Sequence, residues 1–232
     1  MTYLQVQVTD FRCKMGFRCI AIHPRTVIPS LSSYVSMASS DSPVKRRHHE
    51  VFSAARASHL DTRFRRLLYR PDRLAERYVK PGDRVLDFGC GPGFFTREFA
   101  RRAGSTGTVI AVDVQEEMLR LLREKLGPEG LMPRIRTHRC EADSLGLTPE
   151  KDGSIDIAFT IFVVHEVPDP GKLFRELSAL LVPGGLLFIS EPPLVVTARE
   201  FDSTLEQAAE AGLRQVERRH YFVNRAALLK KG

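Results

Sequence analysis

No pair of cysteines in this sequence has metal-ligand spacing. The four cysteines, Cys13, Cys19, Cys90 and Cys140, are scattered and accompany no histidine cluster. Tetrahedral zinc sites need thiolates and imidazoles in close-set pairs, so a metal site is not expected. Sparse cysteine suits a reducing compartment, the cytoplasm. Long apolar runs are also missing. The longest candidate, residues 155–164, contains Asp156 and falls short of the roughly 18 residues that span a bilayer. Acids are scarce at the start, where residues 1–44 hold Asp10 and Asp41 alone. No internal repeat is present.

What remains is ordinary for a globular chain. Its 232 residues suffice for one α/β domain with a well-buried core and are short for two. The formal charge of +7 could favour nucleic acid, anionic lipid or an acidic substrate. No long block of like charge occurs, so an arginine-rich solvated surface accounts for it.

Composition divides the chain near residue 45. Residues 1–44 mix isolated apolar residues with Ser, Pro and basic residues, without helical or strand period. A targeting peptide would be basic and acid-poor, but no apolar core with a small-residue cleavage site follows. A start at Met37 is the favoured expectation, which leaves an irregular extension outside the fold. Residues 45–80 read as a helical lid. Within them Pro71–Val79 has a proline suited to a helix start. Pro81-Gly82-Asp83 then turns the chain into the main domain, residues 81–232.

Strands and helices alternate from there. Strands are expected at Arg84–Phe88, Thr108–Val112, Arg134–Cys140, Ile155–Val163 and Leu186–Ser190, with two more at Arg214–Arg219 and Arg225–Lys230. Helices are expected at Phe94–Arg102, Gln115–Leu126, Gly171–Leu181 and Thr197–Ala211, with Pro183-Gly184-Gly185 closing the third. The alternation predicts a mostly parallel sheet with helices on both faces. Such sheets bind ligands at the carboxyl ends of their strands.

The segment Val85-Leu86-Asp87-Phe88-Gly89-Cys90-Gly91-Pro92-Gly93 is a buried strand running into a glycine-rich turn that opens a helix. Glycines let a backbone approach a ligand closely. Dinucleotide loops do the same, but they space their glycines GxGxxG, whereas here the spacing is GxGxG. Asp87 would also repel a pyrophosphate and attract an ammonium. S-adenosylmethionine carries an ammonium and a sulfonium and no phosphate. Asp113 closes the second strand 20 residues beyond Gly93 (113 − 93), where Rossmann-like sheets place a carboxylate on ribose hydroxyls. Asp143, just past the third strand, could accept a hydrogen bond from the adenine amine.

From about residue 50 onward the chain resembles the class I S-adenosylmethionine-dependent methyltransferases. More narrowly it is similar to the small-molecule group that includes the ubiquinone and menaquinone C-methyltransferases. The resemblance is carried by the glycine loop, by Phe162-Val163-Val164-His165-Glu166-Val167-Pro168-Asp169-Pro170, and by Leu180-Leu181-Val182-Pro183-Gly184-Gly185. It implies a Rossmann-like three-layer sandwich whose seven-stranded sheet runs 3-2-1-4-5-7-6, with the last strand antiparallel. It implies S-adenosyl-L-methionine as cofactor, with its methionine end held by Asp87, Gly89, Cys90, Gly91 and Gly93. Asp113 would hold the ribose and Asp143 would lie by the adenine, Val114, Met118 and Ala142 would also contact the cofactor, and the backbone near Thr160 and Phe162 would line the pocket.

Methyl transfer from a sulfonium mainly requires alignment of nucleophile, methyl and leaving sulfur. If a base is used, His165 is the first candidate and Glu166 the second, since both follow strand four. The expected acceptor is a small molecule. Amino-group base methylation needs Asn/Asp-Pro-Pro-aromatic after strand four, where this chain has Thr160-Ile161-Phe162-Val163. Pyrimidine C5 methylation needs a cysteine there, and arsenic methylation needs a set of them. Ribose methylation of RNA and cofactor binding without turnover stay open. The arginines of residues 50–80, interleaved with Phe52, Phe64, Leu67, Leu68 and Tyr69, suggest a lid selecting an anionic or amphipathic acceptor.

Overall fold

Residues 11–12, 18–19, 67, 69–148 and 154–232 are described by the computed structural model of the chain. Two compact units form, Met1–Arg46 and Arg47–Gly232. In the first, Phe11–Arg12 and Arg18–Cys19 pair antiparallel, where the sequence predicted no regular element.

The second unit is the sheet domain. Its strands are β1 (Arg84–Phe88), β2 (Thr108–Asp113), β3 (Ile135–Arg139), β4 (Ile155–Ile161), β5 (Leu181–Glu191), β6 (Leu213–Tyr221) and β7 (Asn224–Lys231). They lie in the order β3-β2-β1-β4-β5-β7-β6. β1 to β5 are parallel, and β7 runs antiparallel to both β5 and β6. This is the order and strand direction that the resemblance implied. Residues of β1, β2 and β4 are buried on both faces, which is why they read as nearly continuous apolar runs.

Among the described residues, five helices cover the sheet. On one face α1 (Pro71–Tyr78), α2 (Thr96–Ala103) and α3 (Glu116–Leu126) bury Leu74, Phe99 and Leu122 against Val85, Val109 and Phe159. The Phe99 and Phe159 rings stack at 4.1 Å. On the other face α4 (Pro170–Leu180) and α5 (Ala198–Glu210) bury Phe174, Leu177 and Phe201 against Leu86, Ala158 and Leu187. Asp169 caps α4 by accepting from the Lys172 N–H at 2.8 Å. Thr197 and Glu200 form a capping box on α5, with Glu200 Oε2 accepting from the Thr197 N–H and Thr197 Oγ1 from the Glu200 N–H.

Two boundaries differ from expectation in ways that matter for the site. β4 ends at Ile161, two residues early, because Phe162 turns into the left-handed region at φ 63°. β5 begins at Leu181 and takes in Pro183-Gly184-Gly185 as an irregularity, since Ile155 pairs with Leu181 while Ile157 pairs with Leu186. The three residues thus belong to the sheet's entry and not to a helix end. Among the described residues no helix is long and apolar enough to cross a membrane.

Candidate active site

The carboxyl ends of β1, β2, β4 and β5 open into a cavity of about 420 Å³. Small-molecule sites fall in the range of roughly 300–1,000 Å³. The glycine loop forms one wall. The Gly89 and Cys90 N–H groups donate to the Val112 carbonyl at 2.9 and 3.0 Å, and the Gly91 N–H donates to Asp113 Oδ2 at 2.9 Å. The loop after β1 is therefore pinned to the end of β2. Gly89 has φ 71°, and a Cβ there would lie 2.5 Å from Val163 Cγ2. A side chain at that position would collide with the turn after β4. At Gly91 a Cβ would meet nothing within 4 Å, so open space lies over the loop where a ligand can approach.

Asp113 lines the cavity. Its Oδ1 accepts from the Gln115 N–H at 2.9 Å and its Oδ2 from Gly91. A carboxylate has about four acceptor positions, so two remain for hydroxyls. Burial raises its pKa, and the hydrogen bonds from Gln115 and Gly91 oppose that rise.

Asp87, Gly93, Asp143 and Thr160 are not among the lining residues, whereas Gly89, Cys90, Gly91, Asp113, Val114, Met118, Ala142, Phe162, His165 and Glu166 are. Asp87 lies buried beneath the loop and accepts from Thr96 Oγ1 at 2.6 Å, tying β1 to the first turn of α2. Burial pushes its carboxyl up to about 7. A cation above the loop would favour the ionised form again. A Cβ at Gly93 would meet Leu122 and Leu126, so this glycine serves the packing of the loop on α3. Asp143 has a 77% exposed side chain that faces Lys172 Nζ at 3.8 Å. Thr160 is fully buried below the floor formed by Ile161 and Phe162. Burial raises the pKa of two thiols, that of Cys90 in the cavity wall well above its usual value and that of Cys140, outside the lining, to about 12. Neither is a thiolate nucleophile at neutral pH.

The far wall is apolar and aromatic: Tyr69, Phe94, Phe95, Phe162, Pro168 and Pro192. Phe162 packs against Tyr69 at 5.4 Å and Phe95 at 6.4 Å. Its N–H donates to the Ser190 carbonyl at 2.8 Å, which holds the left-handed bend in place. Among the described lining residues there is no arginine or lysine. Of the lid's arginines, Arg70 pairs with Asp72 at 3.1 Å and Arg77 with Glu217 at 3.2 Å. Arg73 is described and does not line the cavity, and Arg56, Arg63, Arg65 and Arg66 lie outside the described residues.

A buried carboxylate behind the cavity wall was not anticipated, nor were the wall residues Phe94, Phe95 and Pro192. Glu191 closes β5 and is 1% exposed. Its Oε1 accepts from the Val164 N–H at 2.9 Å, and its Oε2 accepts from His165 Nδ1 at 2.5 Å. Burial lowers the His165 pKa, but the hydrogen bond and charge of Glu191, with the charge of Glu166, outweigh it, so the net shift is upward. The signal in the sequence is a carboxylate ending a largely apolar strand, the same signal that marks Asp113 on β2.

Residues 85–185 match a family described as a methyltransferase domain. Over 125 residues the chain is 34% identical to the ubiquinone/menaquinone biosynthesis C-methyltransferase of Idiomarina loihiensis, covering 51% of this chain and 49% of that one. The chain thus spans about half the length of the relatives it matches. An S-adenosylmethionine-dependent methyltransferase from Aquifex aeolicus superposes with a TM-score of 0.70 at 27% identity, over 78% of this chain and all of the other. The [4+2]-cyclase SpnF superposes at 0.57 and 18% identity, over 70% of this chain and 80% of its own, a likeness of fold alone. Sheet order, glycine loop and these matches define the class: the chain carries a class I S-adenosylmethionine-dependent methyltransferase domain. Within that class the sequence is similar to the ubiquinone/menaquinone C-methyltransferases over about half its length.

Proposed function

We propose that the chain transfers the methyl group of S-adenosyl-L-methionine to a small, largely apolar acceptor with an aromatic or planar ring. The observation that carries this reading is the charge of the cavity. Its described lining holds the carboxylates of Asp113 and Glu166 and no arginine or lysine, with Asp87 below. Among the described lining residues a dinucleotide pyrophosphate would find no arginine or lysine to neutralise it, whereas a sulfonium and an ammonium suit them. Bound there, the cofactor supplies a methyl on positively charged sulfur, already activated for in-line displacement. Gly89, Cys90 and Gly91 would hold its methionine end, Asp113 its ribose hydroxyls, and Val114, Met118 and Ala142 would pack on the nucleoside. Asp143 would meet the adenine amine only by turning away from Lys172.

The acceptor would stack on Phe95, Phe162 and Tyr69, the last contributed by the segment before β1 that we read as the lid. These rings and Pro192 exclude water and fix the angle of attack. His165 and Glu166 stand on the acceptor side as the groups able to take a proton. The lining favours the apolar part of the acceptor reading over an anionic one. Cytoplasmic residence is part of the same proposal, supported by the two free buried thiols, Cys90 and Cys140.

Transfer of isotope-labelled methyl from S-adenosylmethionine tests the reading. Small aromatic hydroquinones such as 1,4-dihydroxynaphthalene are expected to take the label and total RNA is not. Label in RNA, or no S-adenosylhomocysteine with any acceptor, would contradict it.

A further inference from the structure

We propose that Glu191 is a positioning residue that makes Nε2 of His165 the acceptor for the proton lost from the methyl acceptor. The proposal rests on the methyltransferase reading above and adds the proton's route and the acceptor's chemistry. A carboxylate 1% exposed is costly unless both oxygens are matched. Glu191 matches one with the Val164 backbone N–H and the other with the His165 ring. A carboxylate can only accept, so Nδ1 carries the hydrogen. The lone pair of a neutral His165 is then on Nε2. His165 and Glu166 both line the cavity, whereas Glu191 lies behind them.

Among the described residues, charged groups facing the ring include Glu191 from β5 and Glu166 from its own turn, whose Oε1 lies 4.0 Å from Nε2. A proton arriving on Nε2 makes an imidazolium between two carboxylates, an arrangement that stabilises the charge where it forms. In the balanced step the acceptor's electron pair forms the bond to the methyl carbon. The pair of the broken carbon–sulfur bond stays on sulfur, and the acceptor's proton moves to Nε2. The acceptor class is therefore one with a proton to lose at the methylated atom, a hydroxyl or an activated ring C–H. A tertiary amine or thioether has none.

Glu191 could instead serve as a clip holding the turn after β4 through Val164, and its amide variant separates the two roles. In Glu191→Gln the side chain keeps its shape, but an NH2, which cannot accept, replaces one of the two oxygens that separately face Val164 and Nδ1. NMR of the histidine ring in the full chain is the test, with His165 assigned by its loss in His165→Asn. The wild type is expected to show the Nδ1–H tautomer once neutral. Its midpoint should lie above the ordinary 6.5 and fall by about one unit or more in Glu191→Gln. The acidic limb of the rate profile with 1,4-dihydroxynaphthalene should move with that midpoint. An unmoved midpoint, or an Nε2–H tautomer in the wild type, would overturn the proposal. The wild-type tautomer decides alone if the variant does not fold. Normal S-adenosylhomocysteine binding with an unmoved midpoint would sink the proposal and leave the methyltransferase reading standing. Absence of that binding would sink both.

Discussion

Burial pushes the Asp87 carboxyl up to about 7, against the hydrogen bond from Thr96 and with help from the charge of Asp113. An unfolded aspartate loses its proton near 3.9. Between these values the folded protein holds a proton that the unfolded chain has released, so stability falls as pH rises across that window. The contribution is complete below about 4 and is lost as pH passes about 7. Asp87→Asn has no such proton. Urea midpoints at pH 5 and pH 8 should therefore drop more in the wild type than in the variant, and equal drops would contradict the burial account. Residues of this kind were legible in part. Asp87 and Asp113 stand out because an acid closing or interrupting an apolar strand is expensive without a purpose. Glu191 carries the same signal at the end of β5, but the sequence does not show that Val164 and His165 meet it there. Asp143 shows the reverse case, since its position past β3 fits the adenine while its exposed side chain faces Lys172 at 3.8 Å. Sequence order cannot say which way an exposed loop acid turns.

At the scale of elements, the turn after β4 and the glycine loop after β1 form one unit. Val163 packs where a Gly89 Cβ would be, and the left-handed Phe162 beside it presents its ring to the cavity. Gly89→Ala should cost about 1–3 kcal/mol by overpacking, with further strain from φ 71°. Thermal unfolding and S-adenosylhomocysteine titration should both register it. A variant with unchanged melting temperature and affinity would show that the two turns move apart freely. The strands and helices were legible because two buried faces and the Pro/Gly punctuation leave clear marks. The end of β4 was not, since Ile157–Val163 is apolar but for Thr160 and nothing local says that Phe162 must turn. That bend is set by the Ser190 carbonyl and by the close approach of Gly89, both distant in sequence. The Pro183-Gly184-Gly185 irregularity was misplaced for a similar reason: its pairing with β4, not its composition, makes it part of the sheet.

For the whole molecule, seven strands in the order β3-β2-β1-β4-β5-β7-β6 bring residues from Tyr69 to Pro192 around one cavity. That order followed from resemblance rather than from periodicity, which gives strands but not their neighbours. SpnF shows that the fold by itself does not fix the reaction. The central claim is accordingly about the ligand: an acidic cavity of this shape takes an S-adenosyl sulfonium compound or its product and refuses a pyrophosphate. Calorimetric titration of the full chain with S-adenosylmethionine, S-adenosylhomocysteine, NAD and NADP tests it most directly. The account predicts saturable binding of the first two and none of the others. It also predicts a loss of roughly tenfold or more in Asp113→Ala, since hydrogen bonds to a charged group contribute about 1.5–3 kcal/mol. Binding of NAD or NADP in place of the S-adenosyl compounds, or full affinity in Asp113→Ala, would contradict it.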